Sequence, residues 1–584
     1  MKNRFIKIPT LLLLLFVVLP FVNAKAEGNQ PNILFIFIDD LNTQLNCYGN
    51  KTVHSPNIDK LAGSGTMFTR AYCQWSVCGP SRASILSGQM PSQTGIRNLS
   101  TLIRDVNPDI VTLPQYFKTR GYTTAAVGKV FDPRSVDSGH DTKSWSISYN
   151  IKYKYPSEYG AFVKGQYRVT NNTATEMGPE GVGDDGYLDG QICLDALAKM
   201  DNFANHPEKP FFLAVGFKKP HVPFISPRKY WELYNRDSLT LEPFQKPAEG
   251  SPDFVYFKPE PAHYDDIPEL WTYDDVELGE DILNPEMQKK LIHGYYACIS
   301  YVDAQVGKLM AKLDELNLSE NTIVVLLGDH GYHLGDHNQW GKHTQFENAV
   351  NAPLIIRRPG FDSRRCSTPV DFIDIYPTLT QLVFNDRPEH LTGKNLEPIL
   401  KGDEQELLPA VSEYRAGGHA SYSFRNDRYR MTLWLKNSNT RIDKVSWNAQ
   451  LVFAGELYDY KTDSLETKNL YNLPDSKPII DELLKDAECW WNNQYKQIHT
   501  ISSGAVIKKT ELVPFQNPVR DYLKIPTHFG AVALKVYDLC GNLVLQKQNQ
   551  QNSVYIGNLK AGQYLVLLEW EKMDEVLDFK MMKI

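Results

Sequence analysis

Up to about residue 395, runs of apolar residues end abruptly in charged ones. Residues 32–38 (NILFIFI) stop at Asp39-Asp40, and 122–127 at Gly128-Lys129. Residues 211–217 stop at Lys218-Lys219-Pro220-His221, and 322–327 at Gly328-Asp329-His330. None alternates apolar with polar, so each predicts a strand buried on both faces. Between them, apolar residues recur at helical spacing over 188–200 and 286–316. Strands alternating with helices predict an α/β unit with a mostly parallel sheet. Ligands bind such sheets beyond the carboxyl ends of the strands, and all four charged clusters fall at that edge.

After that the pattern changes. Residues 421–435 predict a hairpin around Asn426-Asp427, followed by a strand at 455–460 and a helix at 477–497. This predicts a smaller α+β subdomain packed on the first unit. From Glu511 the text is β-rich, with turns at Cys540-Gly541-Asn542 and Lys560-Ala561-Gly562, and predicts a small β-sandwich. The expected divisions are a catalytic unit over 28–395, a subdomain over 396–505 and a terminal unit over 511–584. At the other end, Lys2, Arg4 and Lys7 precede an apolar run over 11–22, with cleavage sites after Ala24 and Ala26. Residues 1–26 therefore predict a secretory signal peptide. Pro20 interrupts the run, which is short against the ~20 residues of a spanning helix, and no later stretch predicts a transmembrane segment.

Charge narrows the chemistry. Lys plus Arg number 62 and Asp plus Glu 69, a net charge of −7 over 584 residues. That lacks the basic excess of a nucleic-acid binder, yet a few local cations can still build an anion pocket. The eight cysteines are scattered, without C-x-x-C pairs, and too sparse for a disulfide scaffold. Asp39, Asp40 and Asp329 would bring three carboxylates to one sheet edge beside His330. Three such groups repel one another and are costly to bury, a conflict that a divalent cation resolves. Oxygen-rich ligands favour Ca²⁺, then Mg²⁺, over zinc. His330, His333 and His337 have helical spacing that would suit zinc, but Gly331 and Gly335 interrupt a helix there. Pro80 suits a first helical turn, which puts Cys78 at a helix N-terminus, where anions are favoured. By itself Cys78 reads as a low-pKa nucleophile or as a buried thiol, and Arg82 could reach back toward it.

Cys78-Gly79-Pro80-Ser81-Arg82 resembles the C-x-P-S-R signature of type I sulfatases in the alkaline phosphatase-like superfamily. The likeness extends over roughly residues 30 to 500. It takes in Asp39-Asp40, Cys47-Tyr48-Gly49, 55–61, 121–129, 374–378, and Asp329-His330-Gly331 with His337, Lys342 and Phe346-Glu347. Within the family, 211–224 and 301–307 look most like iduronate-2-sulfatases. The resemblance implies an alkaline phosphatase-like α/β sandwich. It implies that a maturation enzyme oxidises Cys78 to formylglycine (3-oxoalanine). The hydrated aldehyde would attack sulfur with one hydroxyl, and its second hydroxyl would expel the sulfate. Asp39, Asp40, Asp329, His330 and residue 78 would ligate calcium. Arg82, Lys129 and Lys342 would neutralise the sulfate, and His221 would protonate the leaving alcohol.

One position departs from the pattern: Lys129-Val130-Phe131 continues with Asp132 where iduronate-type enzymes carry a histidine that contacts the diol. A carboxylate there could still accept the diol proton but would repel sulfate unless neutral or metal-linked, and His140 could substitute for the histidine spatially. The tail, at 514–523, 536–541, 559–564 and 580–583, resembles the sorting domains of the Bacteroidetes type IX secretion system. Together these imply an enzyme exported through the periplasm to the cell surface or medium, acting on a sulfated polysaccharide or its oligosaccharides. Uronate-containing glycans such as ulvan or glycosaminoglycans are expected first, then carrageenan or fucan. The alternatives are a phosphoester or phosphonate hydrolase of the same superfamily, and an inactive glycan-binding protein.

Overall fold

The structure is a computed structural model that describes residues 30–149, 173–267, 283–403, 408–436 and 446–503. In the tail it describes 522–524, 532–538, 543–550, 553–559, 562–569 and 576–583. The signal peptide expected over 1–26 lies outside these residues.

Seven strands form the central sheet: β1 (Asn32–Ile38), β2 (Thr66–Phe68), β3 (Thr123–Gly128), β4 (Phe211–Phe217), β5 (Thr322–Gly328), β6 (Leu354–Arg357) and β7 (Arg364–Cys366). Their order is β7-β2-β6-β5-β1-β4-β3. The four predicted strands lie side by side and parallel, as β5-β1-β4-β3. Only β6 runs against its neighbours. Successive residues of a strand point to opposite faces, so the unbroken apolar run of β1 serves two cores. Leu34, Ile36 and Ile38 share one core with Ile192, Ala196, Leu291 and Tyr295, and Ile33, Phe35 and Phe37 share the other with Ala83, Ile85, Ile375 and Leu379. The helices involved are α1 (Cys78–Ser87), α2 (Leu188–Ala204), α3 (Pro285–Glu315) and α4 (Ile375–Phe384). Both predicted long helices are present, with α2 running past its expected end at Met200 to Ala204 because Phe203 still finds the core.

A second, antiparallel sheet follows in the order β8 (Ala410–Ala416), β9 (His419–Arg425), β10 (Tyr429–Leu435) and β11 (Val452–Asp459). The expected hairpin is β9–β10. Tyr422, Phe424, Met431 and Leu457 of this sheet pack with Leu483, Trp490 and Trp491 of α5 (Lys477–Ser503). Glu347 ties this sheet to the first unit: Arg430 bonds it and Tyr460 donates to it at 3.0 Å, while Glu466 holds the same two side chains from within the subdomain, at 3.1 and 2.7 Å. In the tail, antiparallel strands pair in the order 543–550, 532–538, 562–569, 576–583. Cys489 is disulfide-bonded, while Cys47, Cys73, Cys78, Cys193, Cys298 and Cys366 are free thiols. Among the described residues, no helix is long and apolar enough to cross a membrane.

Two glycines let the sheet deliver a lysine. Gly128 and Gly216 are partners in the β3–β4 register, and the Lys129 N–H donates to the Gly216 carbonyl at 2.8 Å. A Cβ on Gly216 would sit 2.0 Å from the Lys129 carbonyl oxygen, and Gly128 has φ +73°. Gly216→Ala is therefore expected to cost about 1–3 kcal/mol by overpacking. Thermal denaturation should show the loss, as a lower melting temperature.

Candidate active site

The carboxyl ends of β1, β3, β4 and β5 carry Asp39 and Asp40, Lys129, Lys218 to His221, and Asp329 and His330. All of the ionisable groups among them are buried. From the facing layer, α1 begins at Cys78, as expected from Pro80. Asp40 adopts a left-handed turn (φ 59°), and its N–H donates to Asp329 Oδ1 at 3.0 Å. Cys78 Sγ lies 3.2 Å from His330 Nε2 and 3.9 Å from Asp40 Oδ1. His330 Nε2 is also 3.4 Å from Asp40 Oδ1 and 3.6 Å from Asp329 Oδ2. The Gly331 carbonyl accepts from His330 Nδ1 at 2.9 Å, and burial lowers the ring pKa to about 4. The neutral ring therefore presents its Nε2 lone pair to Cys78 and the carboxylates.

Cations neutralise this edge. Arg82, fully buried, donates from Nε to Asp329 Oδ2 (2.8 Å) and from Nη2 to Asp39 Oδ1 (2.9 Å), and also bonds the Lys129 and Val130 carbonyls. Lys129 Nζ donates to Asp39 Oδ2 at 2.7 Å. Lys342 Nζ donates to both Asp40 oxygens, at 2.9 and 2.8 Å. Burial pushes the Asp39 carboxyl up, but Lys129 and Arg82 outweigh it and hold the group well below the usual range. At Asp40 burial prevails over Lys342, with Asp39, Glu260 and Asp329 adding repulsion, and the carboxyl is pushed well above the usual range. The protein's own cations thus undercompensate Asp40. Ligand atoms of Asp39, Asp40, Cys78 and His221 converge within 4.8 Å of one another, as do those of Cys78, Asp329 and His330. This oxygen-rich donor set, with an undercompensated carboxylate, fits a hard divalent cation.

Several expectations change. Burial, with Asp39 nearby, pushes the Cys78 thiol well above its ordinary range, so the unmodified thiol is not a low-pKa nucleophile. Arg82 does not reach back to Cys78, because its guanidinium is used on two aspartates and two carbonyls. His221 Nε2 is 3.9 Å from Asp40 Oδ2, and burial and Lys342 hold its pKa well below the ordinary value. Its Nδ1 donates to the Val222 carbonyl at 2.6 Å, so in the free chain it offers a lone pair to the site and no proton. Asp132 is paired with cations of the protein itself. Arg134 grips it with two bonds of 2.9 Å, Lys129 Nζ is 3.5 Å away, and these cations overcome burial to hold it far below the usual range. His140 stacks on Tyr149 (4.3 Å, 9°) and makes no described contact with Cys78. The His333–Asp336–His337 cluster is occupied internally. His333 bonds Asp336 (2.5 Å) and Thr344 (2.7 Å), and His337 contacts Asp336 (3.4 Å) and the Glu466 carbonyl (3.2 Å). It braces the loop before Lys342.

Three residues at the site had no sequence signal. Asp189 accepts the N–H groups of Lys218 (2.7 Å) and Lys219 (2.9 Å) and sets the loop to His221. Glu260 Oε1 lies 3.3 Å from Lys342 Nζ and 3.4 Å from His343 Nε2. His343 stacks on Phe257 at 4.2 Å. Each comes from a separate stretch of chain and matches no local motif.

The Sulfatase family model matches residues 31–385, the C-terminal model of N-sulphoglucosamine sulphohydrolase matches 335–490, and the secretion system C-terminal sorting domain matches 515–578. Iduronate 2-sulfatase of Homo sapiens is 30% identical over 535 residues, covering 77% of this chain and 92% of that protein. An ulvan-active sulfatase of Formosa agariphila is 26% identical over 488 residues, covering 79% and 81%. A solved structure in complex with its substrate, D-glucosamine-2-N,6-O-disulfate, shares the fold with TM-score 0.60 and 21% identity, over 80% of this chain and 98% of that one. The alkaline phosphatase-like sheet, the Cys78 helix at its edge and the family match over most of the catalytic unit agree: the chain belongs to the sulfatase family, as a sulfuric ester hydrolase with a C-terminal secretion sorting domain.

Proposed function

We propose that the protein is an exported, calcium-dependent sulfatase that removes sulfate esters from a uronate-containing polysaccharide or its oligosaccharides. The observation that carries this reading is the placement of Cys78 at the start of α1, 3.2 Å from His330 Nε2, facing three converging carboxylates and two lysines. The glycan substrate is supported by the relatives, which are named for iduronate and ulvan, and by the structure solved with a sulfated glucosamine as its substrate. Export is supported by the sorting-domain match and by the leader pattern over 1–26, with the type IX machinery as partner.

Cys78, once oxidised by a formylglycine-generating enzyme, would supply as its hydrate an attacking hydroxyl and a second hydroxyl whose ionisation would release sulfate. Asp39, Asp40, Asp329, His330 and residue 78 would hold a calcium ion, which would supply positive charge for the sulfate oxygens and the attacking hydroxyl. Lys129 and Lys342, each already bonded to a carboxylate, face the same space and share their charge with the sulfate. Arg82 is a positioning residue that holds Asp39 and Asp329 at a fixed spacing. His221 stands next to the leaving oxygen. The negative charge of bound sulfate favours its protonated ring, which the free chain disfavours.

Four outcomes are expected. The peptide containing Cys78, from protein made alongside a maturation enzyme, should show by mass spectrometry the loss that converts CH₂–SH to CHO. Cys78→Ser should be nearly inactive, and full multiple turnover by that variant would remove the formylglycine mechanism. Chelation should abolish sulfate release, with Ca²⁺ restoring it better than Zn²⁺. Asp132→Asn removes the charge that aligns Lys129 and Arg134, and should lower kcat by roughly 10-fold or more, the value of a lost charge-assisted bond. No sulfated Cys78 peptide should accumulate in it, whereas accumulation would make Asp132 a proton acceptor in sulfate release.

A further inference from the structure

The turn Glu260–His263 lies against Gly341 and Lys342. The approach is close. A Cβ on Gly341, whose φ is +134°, would meet Glu260 Cγ at 2.9 Å, so a side chain there would displace the glutamate. One carboxylate oxygen, Oε1, is taken by Lys342 and His343. The other, Oε2, is buried, and among the described residues nothing donates a hydrogen bond to it. A buried carboxylate oxygen calls for a donor. Lys342 bridges Glu260 at 3.3 Å and Asp40 at 2.8 Å, which sets this carboxylate beside the sulfate cradle on the far side of the lysine from the proposed cation. A carboxylate in that place repels the sulfate group itself. It favours a ligand that presents O–H donors next to the sulfate, as a sugar ring does and a simple aryl ring does not.

We infer that Glu260 is a specificity-determining residue whose Oε2 accepts a hydrogen bond from a hydroxyl of the sugar that carries the scissile sulfate, an inference that rests on the proposed glycan-sulfatase reading. The competing role is anchoring Lys342, which would affect every sulfate ligand equally.

The test is titration calorimetry in the Cys78→Ala background, which keeps the pocket and removes turnover. The probes are inorganic sulfate, iduronate 2-sulfate, N-acetylglucosamine 6-sulfate and galactose 4-sulfate. Glu260→Ala should weaken the best-bound sugar sulfate about 10-fold or more relative to inorganic sulfate, the loss expected where a hydrogen-bonding site is left without its partner. Glu260→Gln, which keeps an acceptor oxygen, should recover most of the difference. In matured enzyme, the ratio of kcat/KM for that sugar sulfate to kcat/KM for 4-nitrophenyl sulfate should fall in parallel. Equal weakening of sugar sulfate and inorganic sulfate, or no change in either, overturns the inference while leaving the glycan-sulfatase reading in place. Matured wild-type enzyme that cleaves 4-nitrophenyl sulfate but neither binds nor cleaves any of the three sugars overturns the reading and this inference with it.

Discussion

The buried guanidinium of Arg82 is the contact on which the site depends. It spans Asp39 and Asp329, which come from the ends of two adjacent parallel strands, and also bonds two carbonyls beyond a third strand. All three side chains are fully buried. Removing one member of such a pair costs about 3–5 kcal/mol, because the charge left behind has no solvent to turn to. The fork geometry of arginine lets one side chain fix the spacing of two carboxylates, which lysine could not do. Lys129 and Lys342 then divide the remaining oxygens of Asp39 and Asp40.

This concentration of charge is possible because the sheet beneath it is rigid and apolar. Strand β1 is hydrogen-bonded on both edges and buried on both faces, and its side chains alternate between two cores. Its last residue therefore has little freedom, and Asp39 and Asp40 leave it along a set path. The left-handed turn at Asp40 redirects the second carboxylate toward Cys78 and Lys342. Gly128 and Gly216 do the same for Lys129 by removing the Cβ atoms that would hold β3 and β4 apart.

The C-terminal subdomain contributes indirectly. The segment carrying Lys342 and His343 runs on to Glu347, which is tied by Arg430 and Tyr460 to the second sheet, and Tyr414 of β8 bonds His343 at 3.1 Å. Behind it the His333–Asp336–His337 cluster and Thr344 lock the loop from within. The lysine beside Asp40 is thus held from two domains, and Glu260 approaches it from a third stretch of chain.

The sequence by itself determined the parts of this protein whose physics is local. Unbroken apolar runs ending in charge marked four strands of the central sheet and the edge where chemistry gathers, because a strand buried on both faces has no room for polar residues until it ends. Pro80 marked the start of the Cys78 helix, since proline fits only the first turn. The C-x-P-S-R motif and the charged clusters around it named most of the site, being short stretches read without knowledge of contacts. What each charge faces was decided by tertiary structure alone. That Arg82 spends its guanidinium on two aspartates and two carbonyls was not legible in the motif. Asp132 stood out only as a carboxylate where a histidine is the family pattern, and its pairing with Arg134 and Lys129 came from the fold. Glu260 and Asp189 lay outside any motif. The burial that raises the Cys78 thiol and depresses His221 left no mark in the order of residues either. Ionisation and pairing depend on distances of a few ångströms between segments far apart in the chain, and only the packed fold sets those distances.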